Sequence, residues 1–247
     1  MIRPAPDWAL PRIFAHRCGG ALAPENTLAG LRVAAAMGFH AVEFDVMLSA
    51  DASPWLIHDE TLERTTNGFG RMSETPDAIL CALDAGSCRH HAFSGEPLPT
   101  LESAAALCRK LGLIANVEIK PAAGFEAITG EVVALQILDL WRGGVLPLVS
   151  SFSQIALETA RHVAPRLPLG YLCERPPTDW LDRVDGLGAF SLHCCAEEID
   201  DALLSAANAR GIPVLCWTVN DRDVAESIFR RGVTSVFSDR IDILAGL

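Results

Sequence analysis

The sequence predicts an α/β protein, a closed (β/α)8 barrel. Short apolar strand-like runs alternate with amphipathic helical runs along the 247 residues, a rhythm that builds a parallel sheet with helices on its outside. The number of such units favours a closed barrel over an open doubly wound sheet. No glycine-rich dinucleotide fingerprint follows the first strand, which removes the main support for the open alternative.

Residues 12–16 read as the first strand. Glu25-Asn26-Thr27 opens a helix over 28–37, with Gly38 as its C-cap. Residues 41–47 form the second strand and 55–58 the third, joined by a turn at 49–51 too short to hold a helix, so this region is expected to be irregular. Residues 59–98 have little periodicity and many turn residues, as in an inserted, partly helical excursion. After it the alternation resumes. Helices are predicted over 101–111, 125–141, 155–163, 199–210 and 222–231. Strands are predicted over 113–120, 146–152, 167–173, 189–193, 213–219 and 235–238. Residues 174–188 read as a loop-rich link with a short helix near Trp180. That gives nine strand-like runs for eight staves. No composition break marks a boundary, so residues 1–247 read as one catalytic domain.

Composition narrows the function. Hydrophobic residues make up 50% of the chain, enough for a large core, and no run is long and apolar enough to span a bilayer. The formal charge of −11 argues against a nucleic-acid partner. The first eight residues lack the apolar stretch of a signal peptide, so the expected compartment is cytoplasmic. Eight cysteines include no C-x-x-C pair, which speaks against a structural zinc site and for reduced thiols.

The chemistry centres on Ala41-Val42-Glu43-Phe44-Asp45-Val46. Side chains two apart on a strand share a face, so Glu43 and Asp45 point together while Val42, Phe44 and Val46 pack behind. Two carboxylates side by side in an apolar strand are costly unless a cation lies between them. Polar residues also collect at the C-terminal ends of other strands, where barrel enzymes keep their active sites: His16-Arg17, His58-Asp59, Glu118 with Lys120, Ser151 with Ser153, His193, and 217–220. Glu43, Asp45 and Glu118 supply hard oxygen ligands that suit one divalent metal, Mg²⁺ or Ca²⁺. His16 and His58 are candidate general acid and base. Arg17 and Lys120 are candidate phosphate-binding cations. Together they describe metal-assisted phosphodiester cleavage. Each also has a plainer reading: a surface carboxylate pair, a structural histidine at position 193, helix-starting serines, and a core aromatic at Trp217.

The same residues resemble the glycerophosphodiester phosphodiesterases, most closely the short cytosolic bacterial type. The likeness runs through His16-Arg17 with Ala23-Pro24-Glu25-Asn26-Thr27, Glu43-Phe44-Asp45-Val46, and His58-Asp59 with Leu62-Glu63-Arg64-Thr65-Thr66-Asn67-Gly68. It continues through Asp84-Ala85-Gly86-Ser87, Pro99-Thr100-Leu101-Glu102, Glu118-Ile119-Lys120-Pro121, Ser151-Phe152-Ser153, Trp217-Thr218-Val219-Asn220 and Phe237-Ser238-Asp239. The resemblance implies a distorted (β/α)8 TIM barrel with a small insertion after the third strand, roughly 59–98. It implies hydrolysis of glycerophosphodiesters, such as glycerophosphocholine and glycerophosphoethanolamine, to sn-glycerol 3-phosphate and an alcohol. It puts the metal on Glu43, Asp45 and Glu118, the histidine pair on His16 and His58, the phosphate on Arg17 and Lys120, and Trp217 beside the glycerol pocket. Two rivals are a related barrel phosphodiesterase acting on lysophospholipids and a non-catalytic barrel that binds a glycerophosphodiester. Two positions depart from the family pattern. Cys18 stands where glycine usually follows His-Arg, and a left-handed backbone there would strain it. Cys88 stands where short bacterial members often carry Trp.

Overall fold

The computed structural model describes residues 3–247; the first two residues of the N-terminal stretch discussed above lie outside them. Eight parallel strands form the barrel: β1 (Ile13–Ala15), β2 (Ala41–Leu48), β4 (Ile114–Ile119), β5 (Leu148–Ser151), β6 (Leu169–Leu172), β7 (Ser191–Cys195), β8 (Val214–Trp217) and β9 (Ser235–Ser238). Neighbouring strands pair in that order, β9 returns to pair with β1, and Ala15 opposite Val42 closes the ring. Helices α1 (Leu28–Ala36), α3 (Leu101–Leu111), α4 (Glu126–Leu140), α5 (Gln154–Val163), α6 (Trp180–Leu187), α7 (Asp201–Ala209) and α8 (Arg222–Arg230) connect them, and α9 (Ile241–Leu244) ends the chain.

The ninth strand-like run is not a stave. β3 (Pro54–Leu56) pairs antiparallel with the far end of β2, Val46 opposite Leu56 and Leu48 opposite Pro54. The reason is length, because a parallel crossover needs a dozen residues or more and five link β2 to β3. The position of His58 changes accordingly. It does not end a barrel strand; the hairpin carries the chain back down to the level of Asp45, where the Ile57 N–H donates to the Asp45 carbonyl at 3.2 Å. His58 reaches the barrel mouth from outside the ring.

Local signals explain the element ends. Thr27 caps α1 by accepting from the Gly30 N–H at 3.2 Å. Gly38, at φ +83°, follows the helix end, and the Phe39 N–H closes back on the Ala34 carbonyl. Thr100 and Ser153 cap α3 and α5 in the same way. Ser151 donates to the Ile119 carbonyl at 2.6 Å and accepts from the Ser153 N–H, so the two serines terminate a strand and start a helix. The link over 174–188 holds more helix than expected. Trp180, Val184 and Leu187 are buried on one face of α6, and Gly188 adopts the left-handed conformation that stops it.

The main core lies between the strands and the helices and takes Val42, Phe44 and Val46 from β2 and Val117 and Ile119 from β4. The inside of the barrel has a separate apolar layer of Phe14, Ala41, Leu148, Leu215 and Phe237. The insertion, which includes α2 (Asp77–Leu80), packs Leu62, Met72, Leu80 and Leu98 onto Met47, Trp55 and Ile57 of the hairpin. At ~1.5–3 kcal/mol for each fully buried large apolar side chain, that cluster fixes the hairpin, and with it His58.

Candidate active site

One cavity of about 270 Å³ opens at the C-terminal ends of the strands. His16, Arg17, Glu43, Asp45, His58, Glu118, Lys120 and Trp217 all line it, together with Asn116, Ser150, Phe152, Leu172, His193, Thr218 and Phe237. The pleat places Glu43 with Asp45 on β2, and Asn116 with Glu118 on β4, on the inner face. The parallel register sets Asp45 beside Glu118.

The three carboxylates offer oxygens that all lie within 4.8 Å of one another. Asp45 is 2% and Glu43 4% exposed. Asp45 accepts from the Asn26 side-chain amide at 2.9 Å, and Lys120 Nζ stands 3.6 Å from its other oxygen. Glu43 Oε2 accepts from the Arg17 N–H at 2.9 Å, while Glu43 Oε1 is buried with no partner among the described residues. Burial and the Asp45 charge push the Glu118 carboxyl up to about 8, and burial with Asp45 and Glu118 nearby pushes Glu43 well up. Burial pushes on Asp45 too, but Lys120, His58 and Arg17, with the Asn26 hydrogen bond, hold it below its ordinary value. Ionised together, the three carboxylates would carry one charge more than the two cations Arg17 and Lys120, and Glu43 Oε1 is an orphaned buried oxygen. A divalent cation satisfies both, so the residues present fit a hard metal ion with oxygen ligands.

Each histidine leans on its own carboxylate. His16 Nδ1 bonds Asp239 Oδ1 at 2.7 Å, and its Nε2 lies 3.8 Å from Glu43 Oε2. His58 Nδ1 bonds Asp59 Oδ1 at 2.6 Å, and Arg64 holds the other Asp59 oxygen. A carboxylate on Nδ1 fixes the tautomer and leaves Nε2 to exchange a proton. Burial lowers the pKa of His58 despite the Asp45 charge and the Asp59 hydrogen bond that oppose it. Glu25 binds Arg17 at 3.0 Å and Arg64 at 2.6 and 2.8 Å, tying the first loop to the insertion. Phe152 and Trp217 meet edge to face at 5.6 Å on the apolar side of the cavity.

The loop from β1 to α1 is strained. Arg17, Cys18 and Asn26 have φ of +49°, +77° and +55°. The turn brings the Arg17 and Cys18 N–H groups onto the Glu43 carboxylate and carbonyl and the Asn26 N–H onto the Arg17 carbonyl. Cys18 therefore sits in a glycine-like conformation that strains it, and its Cβ faces Gly30, where any added Cβ would approach to 2.8 Å. Cys88, in the insertion, is exposed and does not line the main cavity.

Asp239, Asp59, Asn26, Glu25 and Arg64 escaped selection as site residues. Each lies inside a motif quoted above, but only Asp59, adjacent in sequence to the histidine it holds, carries a local signal of its role.

The family model described as the Glycerophosphoryl diester phosphodiesterase family matches residues 16–243. A glycerophosphodiester phosphodiesterase of Caldanaerobacter subterraneus subsp. tengcongensis is 29% identical over 236 residues, covering 95% of this chain and 96% of the relative. Human glycerophosphodiester phosphodiesterase 1 is 30% identical over 243 residues, covering 85% of this chain and 72% of the human protein. A solved phosphodiesterase of Oleispira antarctica, in complex with the product sn-glycerol-3-phosphate, superposes with a TM-score of 0.92 at 36% identity over 95% of each chain. The chain belongs to the glycerophosphoryl diester phosphodiesterase family and is an enzyme of that kind, a phosphoric diester hydrolase.

Proposed function

We propose that the enzyme hydrolyses small glycerophosphodiesters, glycerophosphocholine and glycerophosphoethanolamine among them, to sn-glycerol 3-phosphate and an alcohol. Residues 1–247 act as one catalytic unit in this reading. The observation that carries it is the convergence of Glu43, Asp45 and Glu118 within 4.8 Å in the cavity that both histidines line. The product bound by the Oleispira antarctica relative supports the identity of the product here. The unpaired state of all eight cysteines suits a reducing, cytoplasmic compartment, and no helix among the described residues is long and apolar enough to cross a membrane.

Glu43, Asp45 and Glu118 would hold one Mg²⁺ or Ca²⁺, which when bound supplies Lewis-acid polarisation and charge neutralisation at the phosphate. Arg17 and Lys120 flank the carboxylates and bind the non-bridging phosphoryl oxygens, stabilising the charge that builds there. One imidazole takes the proton of the attacking oxygen at Nε2, and the other gives a proton to the leaving alcohol at Nε2. Asp239 and Asp59 hold the two rings in the required tautomer. Phe152 and Trp217 cover the carbon skeleton and exclude water from one side.

The test is release of sn-glycerol 3-phosphate from glycerophosphocholine and glycerophosphoethanolamine, with Mg²⁺ or Ca²⁺ titrated into metal-free enzyme. Metal-dependent release is expected, and Glu43→Gln is expected to shift the metal titration to higher concentration. Release that ignores added metal and chelator alike would remove the metal from the mechanism.

A further inference from the structure

We propose that Arg89, on the insertion, binds a carboxylate carried by the leaving alcohol, so that the enzyme favours glycerophosphodiesters whose alcohol bears one. This rests on the glycerophosphodiesterase reading above and adds to it the class of alcohol.

A second cavity, of about 410 Å³, adjoins the first. His16, Arg17 and Thr218 line both, and Gly20, Ala21, Ala23, Glu25, Arg89 and Asp239 complete the second. Its rim is exposed at Ala21 and Arg89. A phosphodiester has two ester arms. With the phosphorus held beside Arg17 and the three carboxylates, an arm that passes His16 and Thr218 enters this second cavity. The larger, solvent-facing space suits the arm that varies from one substrate to the next.

A stiff turn brings Arg89 there. Asp84 Oδ1 accepts from the Gly86 and Ser87 N–H groups at 2.8 and 2.9 Å, and Asp84 Oδ2 accepts from the Gly95 N–H at 2.8 Å. The Arg89 N–H donates to the Gly86 carbonyl at 3.0 Å. Position 86 takes only glycine, since an added Cβ would lie 2.0 Å from the Phe93 carbonyl oxygen. The Ala85 N–H donates to the Glu96 carbonyl, and Glu96 Oε1 accepts from the Ala29 N–H at 2.7 Å, so the turn is docked on the start of α1. The Arg89 guanidinium then donates to the Ala21 carbonyl, and the Ala21 N–H donates to the Asp239 carbonyl at 2.7 Å. Direct contacts thus join Arg89 through Ala21 to Asp239, whose carboxylate holds the His16 ring.

The charges of this cavity are unevenly matched. Glu25 is bonded by Arg17 and Arg64, and Asp239 by His16 and Asn220. Arg17 faces both Glu25 and Asp45. The Arg89 side chain makes one hydrogen bond, to a neutral carbonyl, and no ion pair among the described residues. Its remaining N–H groups match a carboxylate, which a guanidinium binds through paired, charge-assisted hydrogen bonds. The Glu25 and Asp239 carboxylates in the same cavity accommodate an ammonium group on the same alcohol. An amino-acid alcohol such as serine has both groups.

The test compares glycerophosphoserine with glycerophosphoethanolamine, whose alcohols differ by one carboxylate. Wild-type kcat/KM is expected to favour the serine substrate by about ten-fold at low salt. That preference should shrink as ionic strength rises, because the contact lies at an exposed rim. Arg89→Ala should cut the ratio to below about two-fold, and Arg89→Glu should invert it. Arg89→Lys, which keeps the charge without the fork, should retain a preference between those of wild type and Arg89→Ala. Both substrates are assayed on one preparation, so a lower folded fraction or a shared loss of turnover cancels. Three results overturn the proposal: a wild-type ratio of one or less, a ratio unchanged in Arg89→Ala and Arg89→Glu, or a loss in Arg89→Lys as complete as in Arg89→Ala. Failure to release sn-glycerol 3-phosphate from any glycerophosphodiester is a different result, and it would end the parent reading together with this one.

Discussion

Removing the metal should make the protein unstable in alkali in a way that metal reverses. In the metal-free protein Glu118 holds its proton up to about pH 8, whereas its ordinary carboxyl value is 4.5. The folded state therefore binds more protons than the unfolded state across that window, and stability falls as pH rises through it. The full contribution is present below pH 4.5 and gone above about pH 8. At ~1.4 kcal/mol per pH unit the ceiling is about 5 kcal/mol, and Glu43, pushed in the same direction by burial and by Asp45 and Glu118, acts with it. For a chain of this size that corresponds to a melting-temperature loss of roughly 10–20 °C. A bound divalent cation reverses the cost by compensating the ionised carboxylates. The assay is thermal unfolding at pH 5.5 and 8.5, with chelator and with saturating Mg²⁺ or Ca²⁺. The metal-induced gain should be several-fold larger at pH 8.5, and Glu118→Gln should remove most of the alkaline loss without metal. Equal gains at both pH values, or an alkaline loss that survives Glu118→Gln, would refute the reasoning.

Three further outcomes follow from the same geometry. His16→Ala and His58→Ala should each lower kcat by about 10³-fold while moving the melting temperature by less than about 3 °C; near wild-type turnover of either on glycerophosphocholine would remove that ring from proton transfer. Asp239→Asn should leave KM almost unchanged and reduce kcat by about 10²-fold, because the amide can favour the wrong tautomer of His16; a steady-state comparison showing only a KM change would contradict this. Cys18→Gly should change urea stability by less than about 1 kcal/mol, since relief of the left-handed conformation offsets the lost buried thiol, whereas Cys18→Val should cost more than about 3 kcal/mol because a branched Cβ is added at that φ against Gly30.

Much of this arrangement can be read from the chain. The β2 face is legible because a strand has a period of two, so Glu43 and Asp45 must share a side whichever way the strand runs. The staves and outer helices are legible for the same reason: apolar periodicity is local. Strand direction is not local. The run at Pro54–Leu56 has the composition of a stave, and only the shortness of its link to β2 indicates the hairpin that delivers His58. The pairing of His16 with Asp239 spans 223 positions, and no local pattern marks it. The reciprocal bonds of Asn26 with Asp45 escape for the same reason, although both residues sit in recognisable motifs. The need for glycine at Gly170 is invisible in sequence, because the space it leaves is filled by the His193 ring from the next strand. Helix α6 was readable in part: Trp180, Val184 and Leu187 keep helical spacing, but the Gly186 within it hides the pattern.

The central claim is that acidic side chains of two adjacent strands share one cation. Anomalous diffraction from a crystal soaked in Mn²⁺ tests it most directly. One peak is expected within about 2.6 Å of an oxygen from each of Glu43, Asp45 and Glu118. A peak held by other residues, or a soaked crystal with no peak among these three, would contradict it.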